Sequence, residues 1–262
     1  MNATTAKRTR FDGWLAGVCL SRVFNGLIFM SYAAALPVLQ REWSMSGAQA
    51  GVVAGGFQIG YAVSLVFFSS LADRVSPKRI YLWSLFSAGL SALGFAFFAR
   101  DFTSALVWHT TVGVSLGGTY TTGVMILADQ YDARSRGMAV GVFIASTSCG
   151  YAVSLLISGA ALPVGGYRLS FLLTGLGPLL GWAIAGWTLR ATRVPAACRR
   201  KGQRFTREVL AHRPTMLLIG GYVFHNWELL GMWSWTPAFL SACLALAGAA
   251  LSLCGVGIVL GL

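Results

Sequence analysis

The chain has 262 residues, of which 56% are hydrophobic and only 11% charged, with a net charge of +12 and a mean hydropathy of +0.66. Soluble domains carry about 25% charged residues, so the composition excludes a water-soluble globular protein and points to an integral membrane one. The basic residues sit in short segments between long apolar runs, which suits orientation in a bilayer and argues against nucleic acid as a partner.

Residues 1–10 carry Lys7, Arg8 and Arg10, and the apolar run behind them extends to about residue 39. A signal-peptide core has about 7–15 apolar residues, so this run predicts an uncleaved first span. A bilayer core about 30 Å thick needs about 20 helical residues. Seven stretches meet that length, at about 12–38, 47–72, 78–99, 103–128, 136–161, 167–189 and 214–241. An eighth, about 245–262, is partial.

The cations alternate with these spans. Lys7, Arg8, Arg10, Arg74, Lys78, Arg79, Arg134, Arg136, Arg190, Arg193, Arg199, Arg200, Lys201, Arg204, Arg207 and Arg213 fall on one side. Only Arg41, Arg100 and Arg168 fall on the other, and Arg22 lies within the first span. The positive-inside rule then places the N-terminus in the cytoplasm of a multi-pass protein of the cell (inner) membrane. The long segment 190–213 is strongly basic, with Glu208 as its acid. It reads either as a solvated linker or as a surface that favours anionic lipid, by about 1 kcal/mol per Lys/Arg near the membrane. Residues 203–211 within it could form a short surface helix.

Four segments, in order, resemble the major facilitator superfamily. S-S-L-A-D-R-V-S-P-K-R, residues 69–79, is similar to the family's G-x-L-a-D-R-x-G-R-[RK] loop at Asp73, Arg74, Lys78 and Arg79, with Ser69, Ser76 and Pro77 departing from it. H-T-T-V-G-V-S-L-G-G-T-Y, 109–120, is similar to R-x-x-x-G-x-G-x-G-G, with His109 in place of arginine. L-A-D-Q-Y-D-A-R-S-R-G, 127–137, resembles the charged exit from span four, and G-G-Y-R-L-S-F, 165–171, resembles the G-W-R-x-x-F entry to span six. In span five, S-T-S-C-G-Y-A, 146–152, has Tyr151 where the family's exporters carry proline, which argues against a drug exporter.

The resemblance implies an all-α fold of twelve spans whose two six-helix halves rock about a midplane site in alternating access. The expected architecture is a major-facilitator-type six-helix bundle, 1–189, a basic cytoplasmic linker, 190–213, and a truncated start of the second bundle, 214–262, with one full and one partial helix. The run 245–262 ends within apolar sequence, and the expectation is a chain cut short of helices nine to twelve.

Polar groups within a span are functional candidates because the bilayer makes them costly. Arg22 in span one either lines the cavity, where its fork could hold a carboxylate or phosphate, or snorkels to the cytoplasmic surface or pairs with another group. Asn25 shares its helical face. In span seven, Glu228 and His225 lie three residues apart; desolvation would poise the carboxyl to carry a proton, or the pair would pin span seven by a buried hydrogen bond. His109 is a candidate for coupling or substrate contact, or a partner for a nearby carbonyl. The resemblance implies that Asp73, Arg74, Lys78, Arg79, Asp129 and Arg136 form an inner gate, where loop charges could equally be solvated.

Gly113–Gly117 fits G-x-S-x-G, but a hydrolase elbow needs a strand before it; in an apolar helix these glycines read as a packing face. The five cysteines, Cys19, Cys149, Cys198, Cys243 and Cys254, make no metal-ligand spacing. No catalytic constellation, metal site or cofactor is expected, and the chain does not read as an enzyme. The expected activity is secondary transport of a small solute, with Arg22 suggesting an organic anion and Glu228 a proton as partners. The alternatives are efflux of hydrophobic compounds and a truncated, non-transporting membrane protein.

Overall fold

The computed structural model describes residues 11–192, 194 and 210–246. Lys7, Arg8, Arg10, Cys198, Cys254, most of the basic segment with its expected surface helix, and nearly all of the eighth stretch lie outside the described residues. The described residues form helices α1 (Gly13–Gly26), α2 (Ser31–Glu42), α3 (Gly47–Ala72), α4 (Pro77–Phe98), α5 (Phe102–Leu116), α6 (Tyr120–Gln130), α7 (Arg136–Thr188) and α8 (Arg213–Leu246).

Local sequence explains where these helices start. Asp12 caps α1 by accepting from the Leu15 N–H at 2.9 Å. Ser46 and Gln49 form a reciprocal capping box on α3, and Asp101 and Ser104 form one on α5. Pro77 opens α4, a position where its missing N–H costs nothing. α7 is two antiparallel limbs, 136–164 and 167–188, joined at Gly165–Gly166; Gly166 has φ +62°, which a residue without Cβ adopts freely.

Two of the expected spans are interrupted. Span one is α1 and α2, joined by a tightened turn in which the N–H groups of Leu27, Phe29 and Ser31 donate to carbonyls three residues back, at 3.3, 3.1 and 3.4 Å. Span four is α5 and α6, joined across 117–119. Five stretches are long and apolar enough to cross a membrane: Gly13–Glu42, Gly47–Ala72, Pro77–Phe98, Phe102–Gln130 and Arg136–Thr188. The two limbs of the last make six passes. α8 has 34 residues, long enough at about 1.5 Å per residue to cross a bilayer.

α1 packs on α7, α3 on α5, and α4 on both α5 and α7, while α2 carries α8. Small residues permit these close approaches. A Cβ at Gly150 would lie 2.5 Å from the Val23 carbonyl and 3.0 Å from the Gly26 Cα, and one at Gly113 would overlap the Phe57 carbonyl. That contact agrees with the packing role read for Gly113 from sequence.

The core has two apolar clusters, one at each end of the bundle. Leu15, Tyr81, Leu85, Ile126, Phe143 and Leu189 belong to the near end, where α1 begins. Ile28, Leu36, Phe57, Phe95, Val112 and Phe171 belong to the far end. Between them in the chain fall Ser21, Arg22, Asn25, Thr119, Thr122, Thr147 and Ser154, all buried. This polar layer is where the functional site is sought.

Candidate functional site

Between the bundle and α8 lies a cavity of about 440 Å³. α1 supplies Arg22, Asn25 and Gly26; α3 supplies Gln58, Tyr61 and Leu65; the α5–α6 junction supplies Leu116, Thr119, Tyr120 and Thr121. α7 supplies Ile144, Thr147, Ser148 and Tyr151, and α8 closes the opposite wall with Tyr222, His225, Asn226, Leu229, Leu230 and Trp233.

Arg22 is 5% exposed. Its Nε donates to Thr147 Oγ1 at 2.8 Å and its Nη1 to Thr119 Oγ1 at 3.0 Å. The guanidinium lies over the Phe143 and Tyr120 rings, at 5.2 and 5.7 Å from their centroids. Among the described residues no carboxylate pairs with it. Thr119 organises the group: its hydroxyl accepts from Arg22 and, at 3.4 Å, from Asn25 Nδ2, and donates to the Leu116 carbonyl at 2.8 Å. At the interruption between α5 and α6 that carbonyl also accepts the Thr119 N–H, at 2.9 Å, so backbone and side chain of Thr119 are held at one point. Asn25 Oδ1 is buried without a partner. The arrangement is a cation held at a cavity wall by neutral oxygens, with guanidinium donors left over for an anion.

Toward the far end the wall is aromatic. Phe29 stacks on Tyr151 at 4.7 Å, and Tyr151 meets Trp233 of α8 edge-on at 5.3 Å. Beyond Phe29, Gln58, Leu230 and Trp233, which also line the main cavity, lies a smaller pocket of about 30 Å³ that includes Tyr32, Phe57, His109 and Ser234.

The sequence candidates separate in the structure. Arg22, Asn25 and His225 share the main cavity, and His109 lines the smaller pocket. Glu228 lines neither and is exposed, so the buried carboxyl expected in span seven is not found. The reason is rotational: the cavity stripe on α8 runs through Tyr222, Asn226, Leu229, Leu230 and Trp233, His225 stands at its edge, and Glu228 lies about 60° further round.

The proposed gate residues gather at the near end. Asp129 accepts from Gln130 Nε2 at 2.9 Å, Arg136 Nε is buried without a partner, and Arg74 and Arg79 are exposed. No ion pair joins Asp73, Arg74, Asp129 and Arg136 among the described residues. Lys78 does something else: its ammonium donates to the carbonyls of Leu189, Arg190 and Thr192, closing the C-terminus of α7. Ser76 Oγ adds a bond of 2.8 Å to the Val194 carbonyl.

Thr119, Thr147, Gln58, Tyr61 and Tyr120 were missed as site residues. Thr119 and Tyr120 lie inside the 109–120 motif and Thr147 inside 146–152, so polar side chains within apolar motif helices were the available signal.

The model of the Major Facilitator Superfamily matches residues 18–262. The niacin transporter NiaP of Acinetobacter baylyi is 30% identical over 164 residues, covering 62% of this chain and 36% of that protein. The 4-hydroxybenzoate transporter PcaK of Pseudomonas aeruginosa is 25% identical, covering 74% and 43%, and the hexuronate transporter of Bacillus subtilis is 25% identical, covering 84% and 54%. The chain thus spans about a third to a half of the length of these relatives. Among solved structures, a bacterial homolog of the human lysosomal transporter Spinster, in an inward-facing and unoccupied conformation, aligns with a TM-score of 0.73 at 22% identity over 96% of this chain and 60% of that one. A nucleoside transporter, NupG, aligns at 0.72 and 14% identity over 95% and 64%. The family and the named relatives are transporters rather than enzymes, and this chain, a multi-pass membrane protein, belongs to the Major Facilitator Superfamily.

Proposed function

We propose that this chain forms the first bundle and the opening of the second in a secondary transporter for a small organic anion, with the anion's carboxylate held by Arg22. One observation carries the reading: Arg22 is buried beside a cavity with no carboxylate partner among the described residues. A buried guanidinium costs several kcal/mol to desolvate unless it is paired, and a substrate carboxylate would complete it bidentately. Asn25, with its orphaned amide oxygen, would orient the same group or a hydroxyl beside it.

The aromatic wall of Phe29, Tyr61, Tyr120 and Tyr151 favours a ring in the anion, in keeping with the names niacin and 4-hydroxybenzoate among the relatives. The bundle 1–189, the linker 190–213 and the segment from 214 make up the domains of this reading, with the near end of the bundle in the cytoplasm. His225 at the cavity wall is the group we assign to proton coupling, with Glu228 one turn along α8.

The test is equilibrium binding of radiolabelled benzoate to the purified chain in lipid nanodiscs. Wild type should bind it, Arg22→Gln should bind it about 10- to 100-fold more weakly, and Arg22→Lys should retain part of the affinity. Equal binding by wild type and Arg22→Gln would overturn the assignment. Coupling is tested apart from binding, by uptake into proteoliposomes with and without a proton gradient, and fails if the gradient has no effect.

A further inference from the structure

The smaller pocket differs in chemistry from the cavity it adjoins. At the Arg22 end, Arg22, Asn25, Thr119 and Thr147 are tied to one another by hydrogen bonds. In the small pocket the three polar side chains, Gln58, His109 and Ser234, make no side-chain hydrogen bond among the described residues. They come from α3, α5 and α8, so their meeting is a product of the tertiary fold and not of one helix face.

His109 is the most constrained of the three. It is 3% exposed, and its Nδ1 is fully enclosed without a partner. Its ring is sandwiched between Tyr32, at 4.5 Å and 29°, and Phe57, at 4.8 Å and 23°, with Phe95 edge-on at 6.0 Å. Tyr32 offers only its ring, because its hydroxyl donates to the Ala50 carbonyl at 3.1 Å. The stack therefore fixes the plane of the imidazole before any ligand arrives, and leaving its nitrogens unmatched in an apolar setting is costly. A purely structural histidine would be expected to bond a carbonyl, and this one does not.

Size and position narrow what the pocket accepts. At about 30 Å³ it has room for one small group rather than a whole solute. Gln58 lines both spaces, as do Phe29, Leu230 and Trp233. Along α3, Gln58, Tyr61 and Leu65 line the main cavity over about 10 Å of helix, a length suited to one ring with a carboxylate at one end and a substituent at the other.

We infer that Gln58, His109 and Ser234 form a specificity subsite that reads one neutral hydrogen-bonding substituent, a hydroxyl, on the ligand end opposite the carboxylate. The inference rests on the anion reading above. A hydroxyl both donates and accepts. A neutral imidazole offers one donor and one acceptor, and the amide and the serine hydroxyl offer both, so the set can complete a hydroxyl without a charge. A methyl of similar size would leave all three groups unsatisfied.

The experiment is competition against radiolabelled benzoate on the purified chain in nanodiscs, using 4-hydroxybenzoate and its apolar isostere 4-methylbenzoate. Wild type should prefer the hydroxyl compound by about tenfold. Gln58→Leu, and separately His109→Phe, which keeps the aromatic stack, should bring the two competitors within about twofold of each other, each read relative to that variant's own benzoate affinity. Arg22→Gln should weaken both competitors together. Benzoate binding with no hydroxyl preference in wild type, or a preference that survives in both variants, would overturn the subsite alone. Absence of benzoate binding by wild type would overturn the anion reading, and the subsite with it.

Discussion

On the bundle side of the cavity, Arg22, Asn25, Thr119 and Thr147 are joined by hydrogen bonds of 2.8, 3.0 and 3.4 Å that cross from α1 to the α5–α6 junction and to α7. On the α8 side, Tyr222 and His225 are exposed, and Asn226 Nδ2 bonds back to its own helix, at the Tyr222 carbonyl. The same contrast holds in packing. Gly113, Gly150, Gly177 and Gly181 of the bundle sit against neighbouring backbone, whereas a Cβ added at Gly220, Gly221 or Gly231 of α8 would meet nothing within 4 Å. One wall is organised before a ligand arrives; the other meets the ligand through a stripe of side chains on a single helix. Preorganisation lowers the ordering cost of binding, so affinity should reside in the bundle wall and adaptability in α8.

The largest test of this contrast is a pair of glycine substitutions. Gly150→Ala puts a Cβ 2.5 Å from the Val23 carbonyl and should destabilise the chain by about 1–3 kcal/mol. Gly221→Ala meets open space and should stabilise α8 by up to about 1 kcal/mol through helix propensity. Melting in detergent by tryptophan fluorescence reads both, and equal effects would erase the distinction between the walls.

Binding separates the walls next. Arg22→Gln should weaken benzoate by about 10- to 100-fold, the range of a hydrogen bond to a charged group. Thr119→Val removes the oxygen shared by Arg22 and Asn25 and should cost about tenfold. Asn226→Ala on α8 should change affinity by less than about threefold, since the bond it loses is local. If Asn226→Ala matched Thr119→Val, the α8 wall would be as organised as the bundle.

The smallest effect concerns the far end of the bundle, outside the cavity. The Ser104 backbone N–H and hydroxyl both donate to Asp101, and these bonds hold its carboxyl below the usual carboxylate range. A depressed folded-state pKa contributes stability above the unfolded value of about 3.9 and loses it as pH falls through the lower folded value. The melting difference between wild type and Asp101→Ala should therefore hold from pH 7 to about 4 and shrink below that. A difference that grows on acidification would contradict the capping account.

Much of this was legible in the sequence, for identifiable reasons. Span positions followed from apolar length, and the family from charged and glycine motifs that keep their order. Arg22 and Asn25 stood out because a cation and an amide inside an apolar helix have few explanations. That Glu228 stands off the cavity wall was not legible, because spacing on one helix puts His225 and Glu228 on neighbouring faces, while only tertiary packing decides which face meets the cavity. Thr119 and Thr147 were harder to read because a threonine in a membrane helix commonly bonds its own backbone, so only its place inside a motif segment, and not its type, carries a signal. Lys78 reads from sequence as a gate charge; that it closes the end of α7 depends on where α7 ends. The interruptions at 27–30 and 117–119 left no proline or charge at the break to announce them.

The turn between α1 and α2 has a mechanical consequence. The Leu27 carbonyl accepts the hydroxyl of Ser31, at 3.2 Å, and also that of Ser154 on α7. The first pass is thus riveted to its neighbour at the point where its own backbone ladder is irregular. A twist applied at the Arg22 end would be taken up at this rivet and would not run on as rotation to Tyr32 and the His109 stack. The two ends of the site can exchange information through an occupant that touches both, and a rigid two-ended ligand would serve as the connecting rod.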